Sequence, residues 1–274
     1  MSKTATILRH ILLLLFLLFT AYPLVWMALC AFRTEGDAQA HPLALPSKWV
    51  LDNLQAVFRD GGFGSAYLNS LLLCVASVIV AVAFAALAAF AFSQMRFPGR
   101  NLLFVLFLLG MMIPIHVTLI PLNQLMGSSG LGLKGSLLAL AGPYIGFALP
   151  VSILILRNAF NALPRDLLDA ARVDGCTAWG VFWNVALPLS RPSLATVFIF
   201  NFLTMWNEYA FALTLLGPGV RTLPLALNDF KGEHDIMITQ TSAALLLVVI
   251  PLILVYLFAQ KQIIRGLTAG AVKE

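Results

Sequence analysis

Six long apolar stretches, separated by shorter polar ones, dominate the pattern along the chain. An α-helix needs about 20 apolar residues to cross a bilayer, whereas a membrane-spanning strand needs only about 9–11. Helices also satisfy their own backbone hydrogen bonds in lipid. The pattern therefore predicts an all-α integral membrane protein with six transmembrane helices, at residues 10–32, 68–93, 102–123, 136–157, 191–216 and 239–259.

The composition supports the same class. The chain is 60% hydrophobic and 11% charged, whereas soluble domains are nearer 45–50% apolar and ~25% charged. The apolar run from Ile11 to Phe32 exceeds the roughly 7–15 residues of a signal-peptide core, and no A-x-A-type cleavage site ends it. We therefore expect the first stretch to be a retained helix.

Lys and Arg are distributed unevenly between the two sides that six spans define. Eleven of the 17 lie on the side that carries both termini, including Arg96 and Arg100 in the short loop after the second span. Because cytoplasmic loops carry an excess of these residues, both termini are predicted to be cytoplasmic. We divide the chain into residues 1–67, a first transmembrane helix with an extracytoplasmic cap, and residues 68–274, a core membrane domain.

A charged segment at residues 158–190 interrupts the apolar pattern on the cytoplasmic side. Pro164 suits the start of a helix, Gly175 can end it in the left-handed conformation, and Thr177 is a good N-cap for a second short helix. The segment is expected to close at two prolines, Pro188 and Pro192. Residue chemistry alone leaves two interpretations open: an amphipathic connector in the lipid headgroups, or a docking surface for another protein, which the acidic charges favour.

The run DAARVDG at residues 169–175, followed by LPL at 187–189 and RP at 191–192, resembles the "EAA" motif of ABC-importer permease subunits. Asp169 stands where that motif usually has Glu, and Cys176 where it has Ala. The run WNEY at 206–209 looks like a segment of carbohydrate-importer permeases. The ending at 265–273 is similar to the tail of the maltose-type second permease subunit.

The resemblance implies a type I ABC-importer permease fold in which segment 158–190 is a cytoplasmic coupling segment that docks on a separate ATPase. Asp169 is then expected to pair with an Arg or Lys of the ATPase, and Gly175 to permit the turn. The residues implied in ATPase coupling are Asp169, Ala170, Ala171, Asp174 and Gly175, and the implied contacts of the C-terminal tail are Thr268 and Gly270.

The resemblance also implies partners and a location. The chain is expected to act in the bacterial cytoplasmic (inner) membrane, in contact with lipid, as a heterodimer with a second permease subunit, although a homodimer remains possible. Two copies of the ATPase bind ATP and Mg, so this chain is expected to hold no cofactor, and an external sugar-binding protein delivers the carbohydrate. The basic residues are not clustered, which argues against nucleic acid.

One carboxylate lies inside a predicted span. A charge within the membrane is costly and usually faces the bundle interior or water, and at 3.6 residues per turn Asn201, Thr204 and Glu208 share a helix face. This polar face is either a translocation-path wall that hydrogen-bonds sugar hydroxyls or a means of holding two permease subunits or neighbouring helices together. In the third span, His116 lies between Pro114 and Pro121 and could either gate the path or only mark a bend. We expect a bend, because proline is the simplest cause of a kink.

Two alternatives remain from the residues alone. A secondary transporter or channel using intramembrane Glu208 would also have six spans. An enzyme acting on lipid-linked sugars would need clustered acids or a metal site at one interface. The chain has no catalytic or metal-binding motif, and we expect it to be a transport subunit with neither a catalytic nor a metal site.

Overall fold

The computed structural model describes residues 3–59, 62–229 and 237–271. Within these residues it contains fourteen α-helices and no strand, as the apolar pattern predicts. The helices are α1 (Lys3–Ala31), α2 (Glu35–Ala40), α3 (Asp52–Arg59), α4 (Phe63–Gln94), α5 (Arg100–Leu109), α6 (Ile115–Met126), α7 (Leu138–Asn161), α8 (Arg165–Val173), α9 (Ala178–Val181), α10 (Leu187–Leu189), α11 (Arg191–Trp206), α12 (Ala210–Leu215), α13 (Leu223–Asp229) and α14 (Ile238–Ala271).

Four helices in the described part of the chain are long and apolar enough to cross a membrane. They contain the stretches Ala5–Ala31, Phe63–Gln94, Leu138–Asn161 and Ile238–Leu257. Two further helix pairs are bent at a short break, and the total reaches six only if each bent pair forms one span. The first bent pair, Arg100–Met112 with Ile115–Met126, corresponds to the third predicted span. The second, Ala178–Leu189 with Arg191–Trp206, is bent by 76° and begins in the polar segment, before the predicted start of the fifth span.

The third predicted span is broken at Pro114. The helical stretch Arg100–Met112, which is α5 followed by a 3₁₀ turn, meets α6 at an angle of 100°. Ile113 is extended, with φ −79° and ψ 114°, because a proline disfavours the α conformation in the residue before it. The bend expected from the prolines is present, and it lies two residues before His116.

The chain divides into two compact units. The first consists of Met1–Ser65 together with Ala226–Pro251, and the second of Ala66–Leu225 together with Leu252–Glu274. Besides the first 65 residues, the first unit includes part of α13 and the beginning of α14. In that unit the apolar stretch of α1 is not buried by the rest of the chain. Such an exposed apolar helix is expected to contact lipid.

The cap after α1, residues 33–53, is held by a buried arginine. Arg33 is 1% exposed, and its Nε donates to Asp37 Oδ2 at 2.7 Å. Its Nη2 donates to the carbonyl oxygens of Asp37 and His41 at 2.8 and 2.9 Å. The Asn53 amide donates to the carbonyls of Ala31 and Arg33 at 3.0 and 2.7 Å. The end of α1 and the beginning of α3 are thereby joined.

Glu35 joins the same cap to α14. Its carboxylate accepts hydrogen bonds from the backbone amides of Ile238 and Thr239 at 3.1 and 3.0 Å, and from the Thr239 hydroxyl at 2.7 Å. A carboxylate at this position satisfies free amides and matches the positive end of the helix dipole. The first turn of α14 is therefore capped by a side chain about 200 residues away in sequence.

The second unit is organised around α7, which packs against α5, α11 and α12. Its core contains a cluster of aromatic rings, in which Phe90 contacts Phe160 and Phe182 with ring centroids 6.0 and 5.1 Å apart. Phe182 belongs to the polar segment at residues 158–190, so the root of that segment is part of this core.

Candidate functional site

The polar segment at residues 158–190 begins with a short amphipathic helix, α8. Pro164 occupies its N-cap position, Asp166 lies in its first turn and Arg172 in its last, which is the charge order that the helix dipole favours. Leu168 is buried, 3% exposed, and fixes one face of α8 against the protein. The predicted helix is confirmed, and its opposite face is free.

Gly175 ends α8 in a Schellman motif. The Gly175 amide donates to the Arg172 carbonyl at 3.0 Å, and the Cys176 amide donates to the Ala171 carbonyl at 2.9 Å. Gly175 has φ +83°, and a Cβ added to it would meet no atom within 4 Å. A side chain at this position is therefore opposed by backbone conformation rather than by lack of space, as the sequence predicted.

The second helix of the polar segment starts at Thr177, whose hydroxyl accepts from the Gly180 amide at 3.3 Å. α9 continues through one π-helical turn, Phe182–Ala186, into α10. The segment ends at Ser190, between the two prolines that were expected to close it. Pro188 and Pro192 lie instead in the first turns of α10 and α11, where the missing amide of a proline is tolerated.

The free face of the segment carries an ion pair. Arg172 Nη1 lies 2.8 Å from Asp169 Oδ1, and the two side chains are 50% and 64% exposed. Ala170, Asp174 and Gly175 are also exposed, whereas Ala171 is half-buried against the core. Of the five predicted coupling residues, four therefore lie on one accessible surface.

Val173 is the most exposed large apolar residue of this surface, at 87%. Sequence reasoning missed Val173. Its position between two charged residues, Arg172 and Asp174, and away from the buried face that carries Leu168 could have indicated that it is exposed. Trp179 and Trp183 are also more than half exposed. An accessible surface with small, acidic and apolar side chains together suits contact with another protein better than contact with water alone.

The fifth predicted span is interrupted between α11 and α12, at residues 207–209. Because α11 ends at Trp206, the expectation that Asn201, Thr204 and Glu208 line one helix face is wrong. The Glu208 carboxylate accepts from the amides of Phe211 and Ala212 at 2.6 and 3.2 Å, at the start of α12. It also accepts from the Tyr144 hydroxyl of α7, at 3.0 Å.

Asn201 and Thr204 have different surroundings. Asn201 is 2% exposed, and its amide donates to Ser152 Oγ of α7 at 2.8 Å. Thr204 is exposed, and its hydroxyl donates to the Phe200 carbonyl of its own helix at 2.8 Å. Asn201 and Glu208 therefore hold neighbouring helices together, which is one of the two interpretations of these residues, while Thr204 remains accessible.

Tyr144 is a residue that sequence reasoning missed. It lies directly after Pro143 inside α7 and is buried, and a buried tyrosine hydroxyl usually has a hydrogen-bond partner. The backbone of Thr268 and Gly270 lies in α14, but the side chains of the predicted C-terminal contacts fall outside the part of the chain that the structure describes.

A family model described as "Binding-protein-dependent transport system inner membrane component" matches residues 81–269. The putative ABC transporter permease protein ORF2 of Caldicellulosiruptor sp. is 38% identical over 253 residues, 92% of this chain and 91% of that protein. The arabinooligosaccharides transport system permease protein AraQ of Halalkalibacterium halodurans is 32% identical and covers 99% of each chain. The diacetylchitobiose uptake system permease protein NgcG of Streptomyces coelicolor is 31% identical, covering 95% of this chain and 87% of that protein.

Solved structures share the fold. A chain of a bacterial ABC transporter involved in the import of the acidic polysaccharide alginate superposes with a TM-score of 0.77 and 23% identity, covering 95% of this chain and 98% of that one. A chain of the MetNI methionine ABC transporter gives a TM-score of 0.60 at 17% identity, covering 75% and 96%. The predicted ABC-importer permease fold is confirmed.

Proposed function

The chain belongs to the family of binding-protein-dependent transport system inner membrane components, and we propose that it imports a carbohydrate as one permease subunit of an ATP-driven transporter. Membership makes the chain a transport component of the inner membrane rather than an enzyme. The carbohydrate is supported by relatives that are named for arabinooligosaccharides and diacetylchitobiose.

The observation that carries the coupling role is the construction of the polar segment. Its root, including Leu168, Val181 and Phe182, is buried in the aromatic core with residues of α4 and α7. Its tip, from Asp169 to Gly175, is accessible except for Ala171. A force applied to the tip is transmitted to membrane helices, because a close-packed core moves as a unit. The segment is suited to receive a conformational change from a partner.

That partner, in this proposal, is a cytoplasmic ATPase present in two copies, which binds ATP and Mg. The excess of Lys and Arg supports a cytoplasmic location for the polar segment and both termini. A second permease subunit completes the membrane path, and an external sugar-binding protein delivers the substrate. The outer segment 217–238, of which residues 230–236 lie outside the described structure, is the proposed contact for that binding protein.

The break at residues 207–209 is proposed to line the translocation path. Non-helical backbone within a membrane is tolerated only where it is buried in protein or faces a water-filled cavity. Asn207 and Tyr209 are exposed at this break, and Thr204 is exposed one turn earlier. These side chains offer amide and hydroxyl groups, which suit a neutral polyhydroxylated substrate better than a charged one.

The alternative, a secondary transporter or channel using Glu208, has less support. The relatives described above are named as permeases of ABC transporters, transport systems or uptake systems. In addition, the Glu208 carboxylate already accepts three hydrogen bonds from Tyr144, Phe211 and Ala212. A group that holds two helices in this way is poorly placed to release and capture an ion in each cycle.

Co-purification from membranes tests the proposal. The wild-type chain is expected to bring down an ATPase whose activity rises with the delivered sugar. Asp169→Lys is expected to abolish both the binding of the ATPase and its stimulation by sugar, because it places a cation where the partner's cation should bind. Asp166→Lys is the matched control: it reverses an exposed charge on the same helix, outside the proposed contact, and should retain the ATPase. If the wild type purifies alone and moves sugar across liposomes without ATP, the proposal fails.

A further inference from the structure

The loop between α4 and α5 forms a cavity that the transport proposal does not use. Its volume is about 450 Å³. It lies between α4 and the bent pair that begins with α5, two candidate spans, so we expect it to lie near the lipid headgroups. Its lining residues are Arg96, Phe97, Gly99, Arg100, Asn101 and Leu102.

The cavity wall is held in place by contacts within the loop. The Arg100 Nη1 donates to the Met95 carbonyl at 3.0 Å, and the Leu103 amide donates to the Gly99 carbonyl at 2.9 Å. The Phe97 ring packs against Phe92, with centroids 6.1 Å apart, at the edge of the aromatic core. The lining is therefore preformed, which lowers the entropy cost of binding a ligand.

The charge of this cavity is not neutralised by the chain. In the described residues neither Arg96 nor Arg100 forms an ion pair, and no Asp or Glu occurs between Asp60 and Asp166. Arg157 does not line the cavity, but its guanidinium lies 3.9 Å from the centre of the ring of Phe104, a residue one helical turn after Arg100. An anion is the ligand that this arrangement favours.

An exposed apolar track leads away from the cavity along α5. Leu102, Leu106 and Leu109 are 65%, 53% and 49% exposed, and their spacing of four and three residues puts them on one side of the helix. In a membrane this track faces acyl chains. A ligand with an anionic head at the cavity and an apolar tail along α5 fits both features at once.

We propose that this cavity binds the phosphodiester headgroup of an anionic phospholipid, with an acyl chain lying along α5. Arginine forms paired hydrogen bonds with phosphate oxygens, and basic pockets at the membrane surface bind anionic headgroups. Free phosphate would bind the same arginines but would leave the apolar track without a role. A phosphatidylcholine headgroup also carries a cationic choline group, which the arginines repel.

Native mass spectrometry of the detergent-purified transporter, titrated with phosphatidylglycerol, tests the site. We expect preferential binding of phosphatidylglycerol over phosphatidylcholine. Arg96→Gln should weaken it by about fivefold, which corresponds to roughly 1 kcal/mol for one basic residue near the surface. Arg96 is the residue of choice because none of its described contacts holds the loop together, whereas Arg100 binds the Met95 carbonyl.

Arg9→Gln is the matched control, because it removes the same charge from an exposed arginine that does not line the cavity, and it should leave the affinity unchanged. Equal weakening by both variants would show a general charge effect and overturn the site. Displacement of the lipid by excess inorganic phosphate would identify free phosphate as the ligand. If phosphatidylglycerol binds the isolated chain but not the assembled transporter, a protein covers the cavity and the proposal falls.

Discussion

Two Arg–Asp ion pairs of almost the same length have very different surroundings in this protein. In the cap, Arg33 and Asp37 are 2.7 Å apart, and their side chains are 1% and 11% exposed. In the polar segment, Arg172 and Asp169 are 2.8 Å apart, and their side chains are 50% and 64% exposed. Removing one partner of a buried pair costs about 3–5 kcal/mol, whereas an exposed pair contributes about 0–1 kcal/mol.

The comparison shows that burial, not distance, decides what an ion pair can do. Arg33 is committed to the cap, because breaking its contacts would leave its buried charge without a partner. The Asp37 and His41 carbonyls would each lose one of two donors, since backbone amides also donate to them. Asp169 is bonded to Arg172 but can leave it at little cost, since water replaces the contact. The proposed docking, in which Asp169 exchanges Arg172 for a cation of the partner, requires this second environment.

The largest expected effect comes from Arg33→Met. The change removes the guanidinium that pairs with the Asp37 carboxylate and that donates to the carbonyls of Asp37 and His41. It should lower the free energy of unfolding by about 3–5 kcal/mol. Arg172→Met, the matched control on the exposed pair, should change it by less than about 1 kcal/mol. Denaturant unfolding in detergent measures both, and equal losses would contradict the comparison.

A glycine substitution separates coupling from stability. Gly175 and Gly132 have φ values of +83° and +66°, and an added Cβ would meet nothing within 4 Å at either position. Alanine at each should therefore cost about 1–2 kcal/mol through backbone conformation alone. Only Gly175→Ala should also uncouple the ATPase from transport. A similar loss of coupling in Gly132→Ala would attribute the effect to general destabilisation.

Acidification should loosen the cap. The hydrogen bond from Arg33 lowers the pKa of Asp37. Burial tends to raise the pKa of Glu35, but hydrogen bonds from Thr239, Gln39 and Ile238 outweigh it and lower that pKa. Because both carboxyl groups have depressed pKa values in the folded state, their stabilisation is present at neutral pH and is lost as the pH falls below about 4.

Limited proteolysis of the cap as a function of pH measures this loss. Glu35→Gln should weaken the cap at neutral pH and flatten its pH dependence, since the variant has one carboxyl group fewer to protonate. An unchanged pH profile in the variant would show that Glu35 does not contribute to the acid sensitivity. Asp166→Asn, which changes an exposed carboxylate outside the cap, should leave the profile as in the wild type.

The smallest expected effect on stability is that of Arg172→Gln. The change releases Asp169 from its internal partner, costs less than about 1 kcal/mol, and should leave the ATPase bound. Affinity measurements with the purified ATPase test this expectation. If Arg172→Gln detaches the ATPase as Asp169→Lys is expected to, the partner recognises the ion pair and not the carboxylate alone.

The sequence predicted the local features of the polar segment correctly. The helix starting after Pro164, the left-handed Gly175 and the Thr177 cap are all present. Each depends on residues within one or two helical turns, so the sequence contains the necessary information. The predicted closure at Pro188 and Pro192 was wrong, because both prolines lie in the first turns of helices, where proline is compatible with helix and does not mark its end.

The face predicted for Asn201, Thr204 and Glu208 failed for the opposite reason. A helical projection assumes that the helix continues, but no proline or glycine at residues 206–209 signals the break. The break is stabilised by Tyr144, 64 positions earlier in the chain, and by the amides that Glu208 caps. Contacts of this range cannot be inferred from the periodicity of one segment.

The sequence by itself determined the membrane class, the helical content and the turn at Gly175, because hydropathy and backbone preference act over a few neighbouring residues. Only the tertiary structure decided which Arg–Asp pair is buried, where Glu208 finds its partners and that two arginines share a cavity. Burial depends on what the rest of the chain places around a residue, and burial determines whether a charge stabilises the fold or remains free to bind.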